Sequence, residues 1–302
     1  MNPLIPFDHA CEMLPLHLRQ VALSVPQTER VIAEEVRLRV GHPVSITFPK
    51  GEVFLPGSPT VTSNDLYRVL EIATKASAHT ALDRVCQGYI TVAGGHRLGL
   101  CGSVVKREGV IQNLRYASSL NIRVAKQITG IGNELLRVIC AEDEMPSILV
   151  LAPPGAGKTT LLRDLIRGLS YGYFGEPMRV GVADERGELA AMWNGVPQFD
   201  LGPHTDILDG CCKAEGLMIL LRGMNPQILA MDEITAPEDV EALQMVSGCG
   251  VSLLATAHGQ SIDDLFTRPL YRNLLRRKIF RRLILIERDR DHRKCRMEDI
   301  GC

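Results

Sequence analysis

The chain has 302 residues, 45% apolar and 23% charged, with a formal net charge of −1. That length accommodates two domains of ordinary size, and that balance excludes a disordered chain and a global field that would select a polyanion. The charge is unevenly spread. From Arg268 to Cys302 there are twelve Lys and Arg against five Asp and Glu, a basic end on an acidic body.

Nine cysteines stand at 11, 86, 101, 140, 211, 212, 249, 295 and 302. Their number is odd, and none has the spacing of a zinc knuckle. Many sit in apolar runs, as buried free thiols do, which predicts a reducing, cytosolic compartment. The first residues, MNPLIPFDHACEML, lack the basic segment and apolar run of a signal peptide. No apolar run approaches the roughly 18 residues of a membrane-spanning helix, so membrane association is expected to be peripheral or through a partner.

In chain order, residues 11–23 have helical apolar spacing at Met13, Leu14, Leu18, Val21 and Ala22. EEVRLRVG, PVSITF and GEVFL then read as short strands separated by Gly and Pro breaks. Asn64 to Arg84 predicts a helix with Leu66, Val69, Leu70, Ala73 and Ala76 on one face. GYITVAGGHRLGLCGSVV gives two alternating strands around Ala93-Gly94-Gly95-His96, a hairpin signal in which His96 reads as an ordinary turn residue. A turn at Arg107-Glu108-Gly109 leads to VIQNL and SSLNIRVAKQ. The first 140 residues therefore predict an α+β domain with a curved antiparallel sheet. Gly130 to Cys140 reads as a short helix, and residues 141–146 as a polar, Pro-ended linker. Arg37, Arg39, Arg97, Arg115 and Arg123 lie in or beside these strands. They are either solvated strand faces or candidates to reach a nucleotide on a neighbouring subunit.

From residue 147 to 302 the pattern changes to strand-like runs alternating with helices, which predicts a mostly parallel α/β sheet. The runs are ILVLA (148–152), MRVGVAD (178–184), QILAMDE (227–233), VSLLATAH (251–258) and RRLILIE (281–287), the last expected to close the sheet. Helices are expected over Thr159–Leu169, Cys211–Met224, Pro237–Ser247 and Ile262–Arg277. Ligands of such sheets gather at the carboxyl ends of the strands.

The first run feeds APPGAGKTT, a phosphate-binding loop opening a helix. Gly155 and Gly157 let backbone N–H groups close on a phosphate, and the helix dipole adds positive charge. Pro154, Gly155, Ala156, Gly157, Lys158, Thr159 and Thr160 form the nucleotide-binding set. Lys158 is expected on the β- and γ-phosphates and Thr159 on Mg²⁺. Ala152 replaces the first Gly of the strict pattern. The third run ends in Asp232-Glu233, carboxylates whose place after a buried strand suits a cation. Asp232 is expected as the Mg²⁺ partner and Glu233 as the residue that orients water. Glu185, after the second run, competes for that role. His258, after the fourth, is placed to touch phosphate or water.

These motifs in this order resemble the type II and type IV secretion ATPases: an α+β domain, APPGAGKTT, VADERGE, LLRGMNPQILAMDE and ATAHGQS. GYITVAGGHRLGLCGSVV, SSLNIRVA, GVPQFDLGPHTDILDGC and KAEGLM look like a sporulation branch of that superfamily. The resemblance spans about residues 30–275. It implies a RecA-like, additional-strand P-loop core and ATP with Mg²⁺ as ligands. It implies a homo-oligomer, a hexameric ring, in the cytoplasm and peripherally associated with membrane proteins of a channel between mother cell and forespore. By this likeness Lys158 and Thr159 belong to Walker A, Asp232 and Glu233 to Walker B, Glu185 to the acidic box and His258 to the His box. Met231 departs from the Gly often found before the acidic residue, and the tetracysteine insert of some members is absent, so no zinc is implied.

Three other readings stay open on residues alone. A guanine-nucleotide switch lacks the Asn-Lys-x-Asp tetrapeptide. A nucleic-acid motor has only the basic C-terminal segment in its favour and few aromatics for stacking, so no specific nucleic acid is expected. A scaffold that binds ATP and scarcely hydrolyses it carries the same motifs.

Overall fold

The structure is a computed structural model that describes residues 5–74, 88–107, 110–289 and 292–300. Two compact units emerge. One is Met1–Lys126 with Ala191–Gln198, and the other is Gln127–Ala190 with Phe199–Cys302.

In the first unit, period-two alternation sets the sheet. β1 (Glu35–Arg39) buries Val36 and Leu38 and turns Glu35, Arg37 and Arg39 the other way. With β2 (Ser45–Phe48), β3 (Gly51–Phe54), β4 (Tyr89–Thr91), β5 (Arg97–Arg107) and β6 (Val110–Arg123) it forms an antiparallel sheet in the order β3-β2-β1-β6-β5-β4. Register shifts after Cys101, Ser103 and Val105 interrupt the long β5–β6 pairing, and such bulges increase local twist. Leu38, Ile46, Leu98 and Ile122 meet Phe7, Leu14, Leu18, Leu66 and Val69 from the helices in one core. Each such buried side chain contributes about 1.5–3 kcal/mol.

The helix expected over 11–23 is instead two, Pro6–Cys11 and Leu16–Leu23, broken before Leu16 by Pro15, which has no N–H to continue the first. Ser63–Thr74 is helical as its periodicity predicts. The rest of that expected helix, to Arg84, and the turn residues Glu108 and Gly109 lie outside the described residues.

His96 stands in the turn between β4 and β5, as expected, but it is buried rather than ordinary there. It is 1% exposed. Its Nδ1 accepts the Ala125 N–H at 3.0 Å, so the proton sits on Nε2 and is donated to His9 Nδ1, also at 3.0 Å. Burial first, and the neighbouring His9 second, push the imidazole down to about 4.

In the second unit the runs read in the sequence become β7 (Ile148–Ala152), β8 (Val180–Asp184), β10 (Ile228–Met231), β11 (Ser252–His258) and β12 (Arg282–Asp289). Two strands join them, β9 (Thr205–Asp209) and β13 (His292–Asp299), giving the order β13-β12-β7-β11-β10-β8-β9. All neighbours are parallel except β12 and β13. β12 therefore does not close the sheet, because β13 pairs on its outer side. β7, β8 and β10 are buried along their whole length, as strands covered on both faces are.

Helices Lys158–Tyr171, Lys213–Met224 and Pro237–Ser247 follow β7, β9 and β10. The helix expected over Ile262–Arg277 is split at Arg268 into Ile262–Thr267 and Pro269–Arg276, since Pro269 starts a helix and cannot continue one. Residues 141–146, expected as a linker, lie inside this unit between the helix Asn133–Ile139 and β7. Arg282 donates to the Glu142 carboxylate there at 2.8 Å. Gly168 has no Cβ where Leu136 packs, which brings the helix Asn133–Ile139 close to Lys158–Tyr171.

Candidate functional site

The strand order puts β11 between β7 and β10, so three carboxyl ends lie side by side. β7 delivers the glycine loop. Gly155 has φ +72° and Gly157 φ +98°, left-handed values that a side chain resists. Open space surrounds Gly155, so there it is the backbone conformation that selects glycine. The helix starts at Lys158 and points its first N–H groups at the loop.

Lys158 is 6% exposed, and its Nζ donates to the carbonyls of Ala152 at 3.1 Å and Pro153 at 3.3 Å. It also meets His258 Nδ1 at 2.6 Å. An ammonium only donates, so Nδ1 is the acceptor and the imidazole proton is on Nε2, 2.7 Å from Glu233 Oε1. Lys158, His258 and Glu233 thus form one chain of polar contacts. Burial pulls the Lys158 ammonium below its ordinary value, and Glu233 and Asp232 oppose this.

Asp232 is held by hydroxyls. Thr159 Oγ1 donates to its Oδ2 at 2.8 Å, and Thr256 Oγ1 donates to its Oδ1 at 2.8 Å. The Glu233 N–H donates to Asp232 Oδ1 at 3.0 Å and to Thr256 Oγ1 at 2.9 Å. Glu233 takes φ +25°, a value a non-glycine residue adopts only under constraint, at an order of 1–3 kcal/mol. Thr256, which holds that backbone, is fully buried in β11. No sequence signal singled it out, because a Thr inside an apolar strand reads as β-propensity.

The acidic box at the end of β8 is built differently. Asp184 is 2% exposed and accepts the N–H groups of Glu188, Leu189 and Ala190 at 2.8–3.2 Å. Burial raises its carboxyl, and those N–H groups counter it. Arg163, from the helix of the glycine loop, donates to the Leu189 and Glu188 carbonyls at 2.8 and 2.6 Å and stacks 3.9 Å from the Phe199 ring. Glu185 faces the cleft between β8 and β10 and meets Lys213 Nζ at 3.1 Å.

The shortlisted arginines of the first unit differ in what they touch. Arg37 pairs with Glu35, and Arg39 with Glu52, whose carboxyl is lowered to about 2 chiefly by that Arg39 bond. Arg97 lies over Tyr89 and Arg115 over Tyr116. Arg123 is exposed at the end of β6, directly opposite Arg97 on β5.

A hydroxyl and a carboxylate oxygen gathered at Thr159 and Asp232 are the hard donors Mg²⁺ takes, with its other positions left to phosphate and water. Among the described residues no set of three or more His, Cys, Asp and Glu is gathered as metal ligands, and no helix is long and apolar enough to cross a membrane.

A glycine loop on β7, carboxylates on β10 and an extra strand between them define the RecA-like class of P-loop ATPase folds, here preceded by a smaller α+β unit. The pilus retraction motor PilT, solved with bound ADP, superposes with a TM-score of 0.62 at 16% identity, covering 88% of this chain and 78% of that one. The Legionella pneumophila ATPase DotB gives 0.57 at 14% identity, over 88% of this chain and 76% of that one. Sequence narrows the class. The profile of the family "Sporulation stage III, protein AA" matches residues 8–298, and the chain belongs to that family. Stage III sporulation protein AA of Bacillus subtilis (strain 168) is 38% identical over 282 residues, 93% of this chain and 91% of that protein.

Proposed function

We propose that this chain is a Mg²⁺-dependent ATPase that works as a homo-oligomeric ring, a hexamer, and energises a membrane channel complex during endospore formation from the cytoplasmic side. The observation that carries the ATPase reading is the 2.8 Å bond from the Thr159 hydroxyl to Asp232, which joins the glycine loop to the acidic strand end. The functional division is an N-terminal domain within 1–140 and an ATPase domain that includes 147–302, with residues 127–146 packed in the latter's compact unit. The relative from Bacillus subtilis, similar over nearly the whole chain, supports the sporulation setting.

In this reading Pro154, Gly155, Ala156, Gly157 and Thr160 cradle the phosphates, and Lys158 leaves the Ala152 and Pro153 carbonyls to meet the β- and γ-oxygens. Mg²⁺, when bound, neutralises charge developing on the phosphates. Thr159 and Asp232 would hold it. Glu233 accepts a proton from the attacking water, and His258, donating from Nε2, orients that carboxylate. Glu185 orients the water from the other side of the cleft. Arg37 and Arg39 are engaged by Glu35 and Glu52, and Arg37, Arg39, Arg97, Arg115 and Arg123 together are the candidates to reach a neighbouring subunit's nucleotide.

Steady-state ATP hydrolysis by the purified chain and its Glu233→Gln and Glu185→Gln variants tests the assignment. Glu233→Gln is expected to lose about a hundredfold or more in turnover, and Glu185→Gln less. The reverse order transfers the base role to Glu185. Nucleotide binding without Mg²⁺-dependent turnover in any oligomeric state replaces the motor with an assembly scaffold.

A further inference from the structure

Lys213 enters the sequence motifs only as the first letter of KAEGLM, with no role given to it, although the residue is 5% exposed and lines the same cleft as Asp184, Glu185, Asp232 and Glu233. It is an odd residue for its place. It is the first residue of the helix Lys213–Met224, where the helix dipole opposes a cation, and its N-cap, Cys212, makes no capping bond. A buried charge in such a place persists only when partners hold it.

The partners come from two directions. Nζ lies 3.0 Å from Thr235 Oγ1 and 3.4 Å from Asp239 Oδ2, in the segment that follows Asp232-Glu233. Asp239 is a fixed anchor, 3% exposed, its Oδ2 taking the Thr235 and Ala236 N–H groups at 2.9 and 3.1 Å. On the other side Nζ lies 3.1 Å from Glu185 Oε2, in the segment that follows β8. Gly216, one turn along, lets the helix press against β8: an added Cβ would stand 3.1 Å from the Ala183 Cβ. The ammonium therefore spans the two acidic strand ends, anchored at one and holding the carboxylate of the other.

We propose that Lys213 is a positioning residue that fixes Glu185 over the cleft by anchoring its carboxylate to Thr235 and Asp239. This rests on the ATPase reading for its catalytic consequence. With one oxygen of Glu185 committed to Lys213, the other is left to orient water. Glu185 then acts as a held acceptor, and proton transfer falls to Glu233.

A double-mutant cycle on the full chain tests this, with Lys213→Met, Glu185→Gln and the two combined, assayed for kcat, KM for ATP and denaturant unfolding. Lys213→Met is expected to lower kcat about tenfold or more while KM moves less than about threefold. In the Glu185→Gln background it should cause no further loss of kcat. Lys213→Arg should recover part of the loss, because it returns a cation to the same anchor. An equal fall of kcat in both backgrounds, or a raised KM with kcat kept, overturns the proposal. If Lys213→Met does not fold, Glu185→Asp decides. It withdraws the carboxylate by one methylene and should lower kcat with nucleotide affinity retained, and wild-type kcat in that variant overturns the proposal. Absence of turnover in the wild type sinks the ATPase reading instead. The unfolding cycle still judges the held carboxylate: the double variant should lose less stability than the two single losses combined, and additive losses refute it.

Discussion

β8 and β10 lie side by side and run out into the same dipeptide, Asp184-Glu185 and Asp232-Glu233, and the fold gives the two ends different work. Asp184 spends its oxygens on the backbone N–H groups of Glu188, Leu189 and Ala190. Asp232 receives the hydroxyls of Thr159 and Thr256 and a single backbone N–H. A backbone N–H in a turn is a fixed donor, and breaking three of them unbuilds the turn. A hydroxyl rotates, so the Thr159 oxygen that donates to Asp232 can offer a lone pair to a cation beside the same carboxylate. One dipeptide thus closes a loop and the other prepares a site. The glutamates diverge in the same way, Glu185 against the ammonium of Lys213 and Glu233 against the imidazole of His258.

The largest expected effect separates the two aspartates by activity. Asp232→Asn should lower Mg²⁺-dependent turnover about a hundredfold or more while unfolding free energy changes by no more than about 1 kcal/mol. A variant that unfolds early while keeping its turnover would make Asp232 the structural member of the pair.

Asp184→Ala should do the opposite, losing on the order of 3 kcal/mol in denaturant unfolding because buried N–H groups lose their acceptor. An unchanged unfolding midpoint would mean that the loop from Glu188 to Ala190 stands without it. Thr256→Val probes the Asp232 side at smaller scale. It removes a donor to Asp232 and the acceptor for the constrained Glu233 N–H, so about 1–2 kcal/mol of stability and several-fold of turnover should go together. Loss of stability alone would detach Glu233's backbone from function.

The smallest effect is a slope. Burial raises the Asp184 carboxyl, so the folded chain holds that proton more tightly than the unfolded one. Stability from this group is full below the unfolded value, near 4, and declines as pH rises through the folded value. Unfolding midpoints of the wild type and Asp184→Asn, compared upward from about pH 4, should show this decline in the wild type only. Parallel curves would assign the pH dependence elsewhere.

Much of this was legible in the residues. APPGAGKTT announced its loop because few other arrangements ask for two glycines before Lys-Thr at a helix start. The buried strands were legible as unbroken apolar runs. β9 was not, since TDILD is short, half-buried and polar at both ends. His96 was misjudged because Gly94-Gly95 marks a turn and says nothing about which neighbour covers it. Lys213 and Thr256 escaped because a Lys in KAEGLM and a Thr in LLATAH suit any helix and any strand.

The order of residues dictates which short-range chemistry the chain holds: a phosphate loop, two acidic strand ends, a histidine after a strand, two patterns of periodicity. Those are properties of spacing along the chain, and backbone sterics translate spacing into local geometry. What each polar group faces is settled by how the strands and helices pack. That choice depends on strand order, which inserts β11 between β7 and β10 and so sets Thr256 and His258 against Asp232 and Glu233, about 25 residues away along the chain. It placed Lys213 across two strand ends and buried Asp184 among N–H groups, because a charge taken from water must be met by whatever donors the fold brings near it.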